Sequence, residues 1–333
     1  MNNEWIIDAP LDMHLHVRQD DMLTAVVPSS SGGFAGAVIM PNLLPPVDSL
    51  ARVQSYRKEI LRAAGHDVFE PYMTLFFKNY TREELSAAKP HIIGIKLYPE
   101  GVTTNSAGGV KNFEAYRHVF AAMEELDIPL LVHGETHGFV MDREREFLPL
   151  YESLAKNYPK LRITMEHITT DDAVALLDRY EHLFATITVH HLLFTLDDMA
   201  GGLLNPHLFC KPLLKRPEDR EVLQRAVLDG NPKIMFGSDS APHTRHAKEC
   251  PGCAAGVFSA PVALSLLAGF FDAHHARDRM QGFVSNHARN IYRVKPPAKK
   301  IRLEKQTWTV PGRIGEAVPF MAGQTLPWQA IRI

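Results

Sequence analysis

The chain has 333 residues, 45% of them hydrophobic and 22% charged, an ordinary composition for a globular protein with a large core. Its 36 Lys and Arg stand against 38 Asp and Glu, a net charge of −2, which gives no electrostatic reason to expect a nucleic acid or an anionic membrane as partner. The first residues lack a basic and apolar leader, no apolar run reaches the roughly 18 residues of a membrane span, and the cysteines (Cys210, Cys250 and Cys253) are few and odd in number, so a reducing, cytoplasmic setting is expected.

In chain order, short apolar runs predict strands at 5–8 leading into 11–16, then at 37–40, 69–76, 92–97, 130–133, 162–167, 185–188 and 234–237. Amphipathic segments between them predict helices, among them 50–64, 112–126, 171–180 and 219–228. Strand–helix alternation argues for a parallel sheet with helical crossovers. About eight such units favour a (β/α)8 TIM barrel, and no GxGxxG follows a strand to support a dinucleotide fold. From about 295 to 333 the chain changes character, with Pro296, Pro297, Pro311, Pro319, Pro327 and short β-like pieces. It reads as a C-terminal extension packed on one barrel domain spanning 1–333.

The chemistry-bearing residues fall at strand ends. His14 and His16 are two apart, so on a strand they share a face and can bind one metal; an isolated pair also suits a polar turn. Lys96 lies inside the apolar run Ile92–Leu97, where a lysine is costly unless paired or chemically altered. It could snorkel to water, or its desolvated, neutral amine could capture carbon dioxide as a carbamate that bridges two ions. His133 and His167 each close a short apolar run, and Asp239 ends the last predicted strand. A lone strand-end Asp is commonly a helix cap. In a barrel, however, all these ends converge on one face, and four histidines, an aspartate and a carbamate can hold two divalent ions of the zinc type. Such a pair acidifies water and polarises a carbonyl, which suits hydrolysis of an amide-type bond.

These residues, with the stretches DMHLHVRQDDML, VIMPNLLPPV, IKLYPEGVTTNS, PLLVHGE, MEHITT, NPHLFCKPLLKR, GSDSAPHTRHAKE, AAGVFSAP and FMAGQTLPW, resemble the amidohydrolase superfamily. The finer likeness, running from residue 12 to residue 328, is to the short bacterial type of dihydroorotase. The resemblance implies reversible hydrolysis of dihydroorotate to N-carbamoyl-L-aspartate in pyrimidine synthesis, by a homodimer. It implies two zinc ions per subunit, bridged by carboxylated Lys96 and a hydroxide. His14, His16 and Asp239 would hold one ion and His133 and His167 the other, with Asp239 also the general acid and base. Arg18, Asn42 and His243 would bind the substrate carboxylate, for which an arginine fork is suited. Ala255 and Lys211 would contact the ring through backbone groups, and Thr103 and Thr104 would belong to a mobile loop that folds over the open-chain substrate.

The sequence departs from that pattern in places. Lys211 stands where relatives usually carry an apolar residue, and Ser238 replaces a common Thr. Cys250 and Cys253 have CxxC spacing but no second pair, so a plain turn is expected there. Other readings of the same residues are a hydantoinase or allantoinase, a catalytically dead scaffold homologue, and a metal-storage protein. The last would need neither Lys96 nor Asp239.

Overall fold

The structure, a computed structural model, describes residues 3–333. The first strand, Glu4–Asp8 (β1), does not run into the second, Leu11–Leu15 (β2). The chain turns at Ala9, whose φ is +44°, and β1 leaves for a different sheet. The expected continuous segment is therefore two strands, because Ala9 and Pro10 break the extended run.

Eight strands form one sheet in the order β2 to β9. After β2 come Gly36–Ile39 (β3), Glu70–Phe76 (β4), Gly94–Leu97 (β5), Leu130–Val132 (β6), Ile163–Met165 (β7), Leu183–Ile187 (β8) and Ile234–Phe236 (β9). Each pairs in parallel with the next. The ring closes where Leu15 bridges Ser240 in parallel and the Asp239 amide donates to His14 O at 2.8 Å. The architecture is the expected (β/α)8 barrel.

Alternation along the strands sorts their side chains. Ile95, Leu97, Leu130 and Val132 face outward into the large core under the helices, so Lys96 and Leu131, one residue out of phase, face the interior. Leu11, Met13, Val38, Leu131 and Met235 fill the interior, plugged from below by Ala288, Ile291 and Tyr292. The helices present the matching apolar stripes. Leu50–Ala64 buries Val53, Tyr56, Ile60 and Ala64, at helical spacing. The helix expected at 112–126 opens as a 3-10 turn, Phe113–Tyr116, with the Asn112 side chain accepting from the Glu114 amide, before Arg117–Glu125 becomes α-helical. The one expected at 219–228 begins earlier, at Pro217, whose fixed φ suits a first helical position.

The segment after residue 295 joins the chain's start. Lys300–Glu304 (β10) lies between β1 and Gln329–Arg332 (β13) in an antiparallel sheet, and Trp308–Thr309 (β11) pairs with Thr325–Leu326 (β12). Trp328 packs edge-on against Trp5 at 4.8 Å, with the Arg277 guanidinium over both rings. Val310, Phe320 and Leu326 join Leu208, Leu214 and Val257 in a separate apolar cluster. Among the described residues, no helix is long and apolar enough to cross a membrane.

Candidate active site

The C-terminal ends of β2, β5, β6, β7 and β9 bring His14, His16, Lys96, His133, His167 and Asp239 together. All are buried. His167 and Asp239 take φ of +43° and +42°, a left-handed backbone that L residues adopt only at a cost of about 1–3 kcal/mol. These two turns aim both side chains over the barrel mouth. Gly237 makes room: a Cβ there would lie 2.9 Å from both His14 Cβ and Thr186 Cβ.

Two groups of donors face each other. Asp239 Oδ1 is 3.4 Å from His14 Nε2 and 3.2 Å from His16 Nε2, and the donor atoms of the three lie within 4.8 Å of one another. His133 Nδ1 is 3.1 Å from His167 Nε2. Lys96 Nζ is fully buried with no hydrogen-bond partner and sits 4.8 Å from the centre of the Tyr98 ring. Burial pulls its pKa down to about 8 against the opposing pull of Glu166 and Asp239. Burial likewise keeps His16 and His167 well below the usual imidazole range and raises Asp239. Neutral imidazoles, a basic carboxylate and an orphaned amine form a donor set that fits divalent cations.

Three carboxylates that the sequence reading did not single out hold this set from behind. Glu166 Oε2 is 2.7 Å from His14 Nδ1 and accepts from Thr186 Oγ1 at 2.6 Å. Glu135 Oε2 is 2.8 Å from His133 Nε2, which leaves His133 Nδ1 as the unprotonated nitrogen. Burial opposes ionisation of Glu135, but the His133 contact and charge outweigh it and its pKa falls. Asp12 accepts from the Ser238 amide and hydroxyl, tying β2 to the turn that carries Asp239, and burial raises its pKa to about 7. The available signal was adjacency, since Glu135 and Glu166 stand two and one residues from the strand-end histidines.

A cavity lined by His14, His16, Arg18, Asn42, Tyr98, Thr103, Thr104, His133, His167, Lys211, Asp239 and Ala255 lies over the donors. Lys96 and His243 do not line it. Arg18 Nε donates to Pro242 O at 2.7 Å, its Nη2 is 3.0 Å from His243 Nε2, and that nitrogen is 3.0 Å from Ala255 O. Burial and the Arg18 charge push the His243 pKa down to about 3. The loop carrying Thr103 and Thr104 lies across the mouth. Asn42 Nδ2 donates to Thr104 O, Asn105 Nδ2 to Asn42 O and Lys211 Nζ to Val102 O, each at 3.0 Å. Lys211 thus also engages the loop through its ammonium. Cys250 and Cys253 are free thiols joined by a turn in which the Cys253 amide donates to Cys250 O. A larger cavity, about 820 Å³, opens between Tyr72, His91 and Arg162. These residues lie before or early in their strands, at the face opposite the one where barrels carry their chemistry.

A family model described as Amidohydrolase matches residues 52–265. A dihydroorotase of Helicobacter hepaticus is 44% identical, the alignment covering 96% of each chain. The crystal structure of a dihydroorotase from Campylobacter jejuni superposes with a TM-score of 0.95 at 50% identity, covering 99% of this chain and 98% of that one. The dihydroorotase of Saccharomyces cerevisiae, solved in complex with 5-fluoroorotic acid, superposes with a TM-score of 0.92 at 36% identity, covering 99% of both chains.

Proposed function

The chain belongs to the dihydroorotases of the amidohydrolase family, and from that premise we propose how its own residues carry out the reaction. The activity is reversible hydrolysis of the cyclic amide dihydroorotate to N-carbamoyl-L-aspartate, a step of pyrimidine synthesis. The observation that carries the residue assignment is the convergence of four strand ends, bearing His14, His16, His133, His167 and Asp239, on the buried and unpartnered Lys96 amine.

His14, His16 and Asp239 would hold one zinc ion and His133 and His167 a second. Lys96, its pKa lowered to about 8 by burial, would add carbon dioxide through its neutral form: an N–C bond forms, one N–H proton leaves to solvent, and the resulting carbamate would help to hold both ions. When bound, the two ions acidify a water and polarise the ring carbonyl. Asp239 takes the proton of the attacking water and returns it to the ring nitrogen as the C–N bond breaks; in the synthetic direction it runs the same transfer backwards. Arg18, Asn42 and His243 grip the substrate carboxylate. Ala255 and Lys211 meet the ring through their backbone, and Thr103 and Thr104 cover the open-chain form. The same proposal takes residues 1–333 as one barrel unit including the extension, acting as a cytoplasmic homodimer; sedimentation at the mass of one chain would refute the dimer.

Asp239→Asn is expected to lower turnover by about 10²–10⁴-fold, the usual share of a general acid–base group. A metal-loaded variant with near-normal turnover would overturn that role. Turnover of dihydroorotate, hydantoin and allantoin is to be compared in parallel. Preference for the carboxylated ring, lost in Arg18→Met, is expected, and equal rates on all three would favour the broader cyclic-amide reading. A dead scaffold is disfavoured because such a chain is expected to have lost ligand residues, and the sequence retains them all.

A further inference from the structure

β8 runs into the short helix Val189–Leu193, whose His190 and His191 are 0% and 2% exposed. After the turn Pro206–Leu208 the chain brings Cys210, also buried, against them, and one donor atom of each residue lies within 4.8 Å of the others. None of the three lines the catalytic cavity. Cys210 Sγ is 3.8 Å from His191 Nε2, close to the roughly 3.5 Å separating S and N ligands on a tetrahedral ion with bonds of about 2.3 and 2.0 Å. Pro212 O is 3.0 Å from His191 Nε2 and 3.2 Å from Cys210 Sγ, a further oxygen donor. Neither ring nitrogen of His190 has a partner. Two unsatisfied nitrogens on one fully buried side chain are exceptional in a folded protein, and they sit beside a thiol.

We propose that His190, His191 and Cys210 form a second metal centre, distinct from the catalytic donors, that takes one thiophilic d10 ion, Zn²⁺ or Cu⁺. Thiolate and imidazole are the donors such ions select. On binding, the Cys210 S–H bond breaks, an S–metal bond forms and the proton leaves to solvent. His191 moves its remaining proton from Nε2 to Nδ1, where Thr188 Oγ1 waits at 2.8 Å, and Nε2 becomes a ligand. Burial, and after it the Asp239 charge, pushes the free Cys210 thiol up, while Lys248 and Lys215 pull it down; with the thiolate bound, Cu⁺ leaves the centre neutral and Zn²⁺ leaves it at +1. The ion fastens the segment carrying Lys211 to the end of β8, stiffening one wall of the catalytic cavity from outside.

The test is anaerobic titration of the metal-free full chain with Co²⁺. The catalytic donors include no thiol, so a thiolate-to-cobalt charge-transfer band separates a thiol-bound ion from the catalytic ones, and the cysteine variants assign it among Cys210, Cys250 and Cys253. A band whose final amplitude corresponds to one thiolate-bound cobalt per chain is expected once all the sites are filled, lost in Cys210→Ser and in His190→Gln and retained in Cys250→Ser and Cys253→Ser. Competition between Zn²⁺ and a chelator-buffered Cu⁺ for the bound cobalt identifies the preferred ion. No band in the folded wild-type chain, or a band surviving in Cys210→Ser, overturns the proposal. If Cys210→Ser fails to fold, His190→Gln and the two other thiol variants decide. Failure of the catalytic assignment would instead appear as missing cobalt equivalents that carry only d–d absorption, with the thiolate charge-transfer band intact.

Discussion

His14 is oriented by a carboxylate distant in sequence: Glu166 accepts from its Nδ1 and is itself fixed by Thr186. Carboxylates behind metal-binding imidazoles typically contribute 10–100-fold in metal affinity. Glu166→Gln is therefore expected to weaken zinc binding by about that factor with unchanged circular dichroism, measured by chelator competition. Lys211 gives a second prediction at this scale. Its ammonium ties the covering loop through Val102 O, so Lys211→Met should speed dissociation of a ring-shaped inhibitor in stopped-flow while leaving metal content alone; an unchanged rate would remove the tie from the mechanism. Lys96 was legible in the sequence because a lysine between Ile95 and Leu97 breaks an apolar run. Glu166 was not, because a glutamate beside a strand-end histidine is common, and its partner His14 is 152 positions away. His190 and His191 were equally silent: only folding brings Cys210 to them.

Among elements, the barrel strands were readable because each is a short apolar run between amphipathic helices, and period alone separates them. What period does not encode is partnership. The run at 5–8 is as strand-like as the one after it, yet Ala9 turns it out of the barrel and into pairing with β10. The turn after β9 depends on an equally small detail. Gly237 lies where any side chain would strike His14 and Thr186, two residues before Asp239. Gly237→Ala should cost about 1–3 kcal/mol of stability, the usual range for overpacking, and should lower kcat more than it raises KM, since Asp239 moves with the turn. Urea unfolding and steady-state kinetics on the same preparation check both parts.

At the scale of the whole molecule, buried lysines give stability a pH dependence. Lys299 donates to Ser31 O and Phe34 O at the end of the first barrel helix, and burial lowers its pKa from 10.5 to about 8. Lys248, held by Phe209 O, Ala254 O and Gly256 O, is lowered to about 8 by the same cause. Between pH 8 and 10.5 the unfolded chain binds more protons at these sites than the folded one, so their contribution to stability rises with pH through that window. Denaturation midpoints across it should climb less in Lys299→Met than in the parent chain. Trp328, packed on Trp5 beneath the Arg277 guanidinium, is a second lever: Trp328→Ala should cost about 3–5 kcal/mol, read as a fall in the urea midpoint. The sheet it covers also sets a timetable. Asp8 pairs with Lys300, so at about 5–20 residues per second β1 leaves the ribosome roughly 15–60 s before its partner is synthesised. For that interval the nascent chain carries an open strand edge, the kind of surface on which neighbouring chains pair wrongly. Slow translation or crowded polysomes should therefore lower the yield of this protein more than its final stability would indicate.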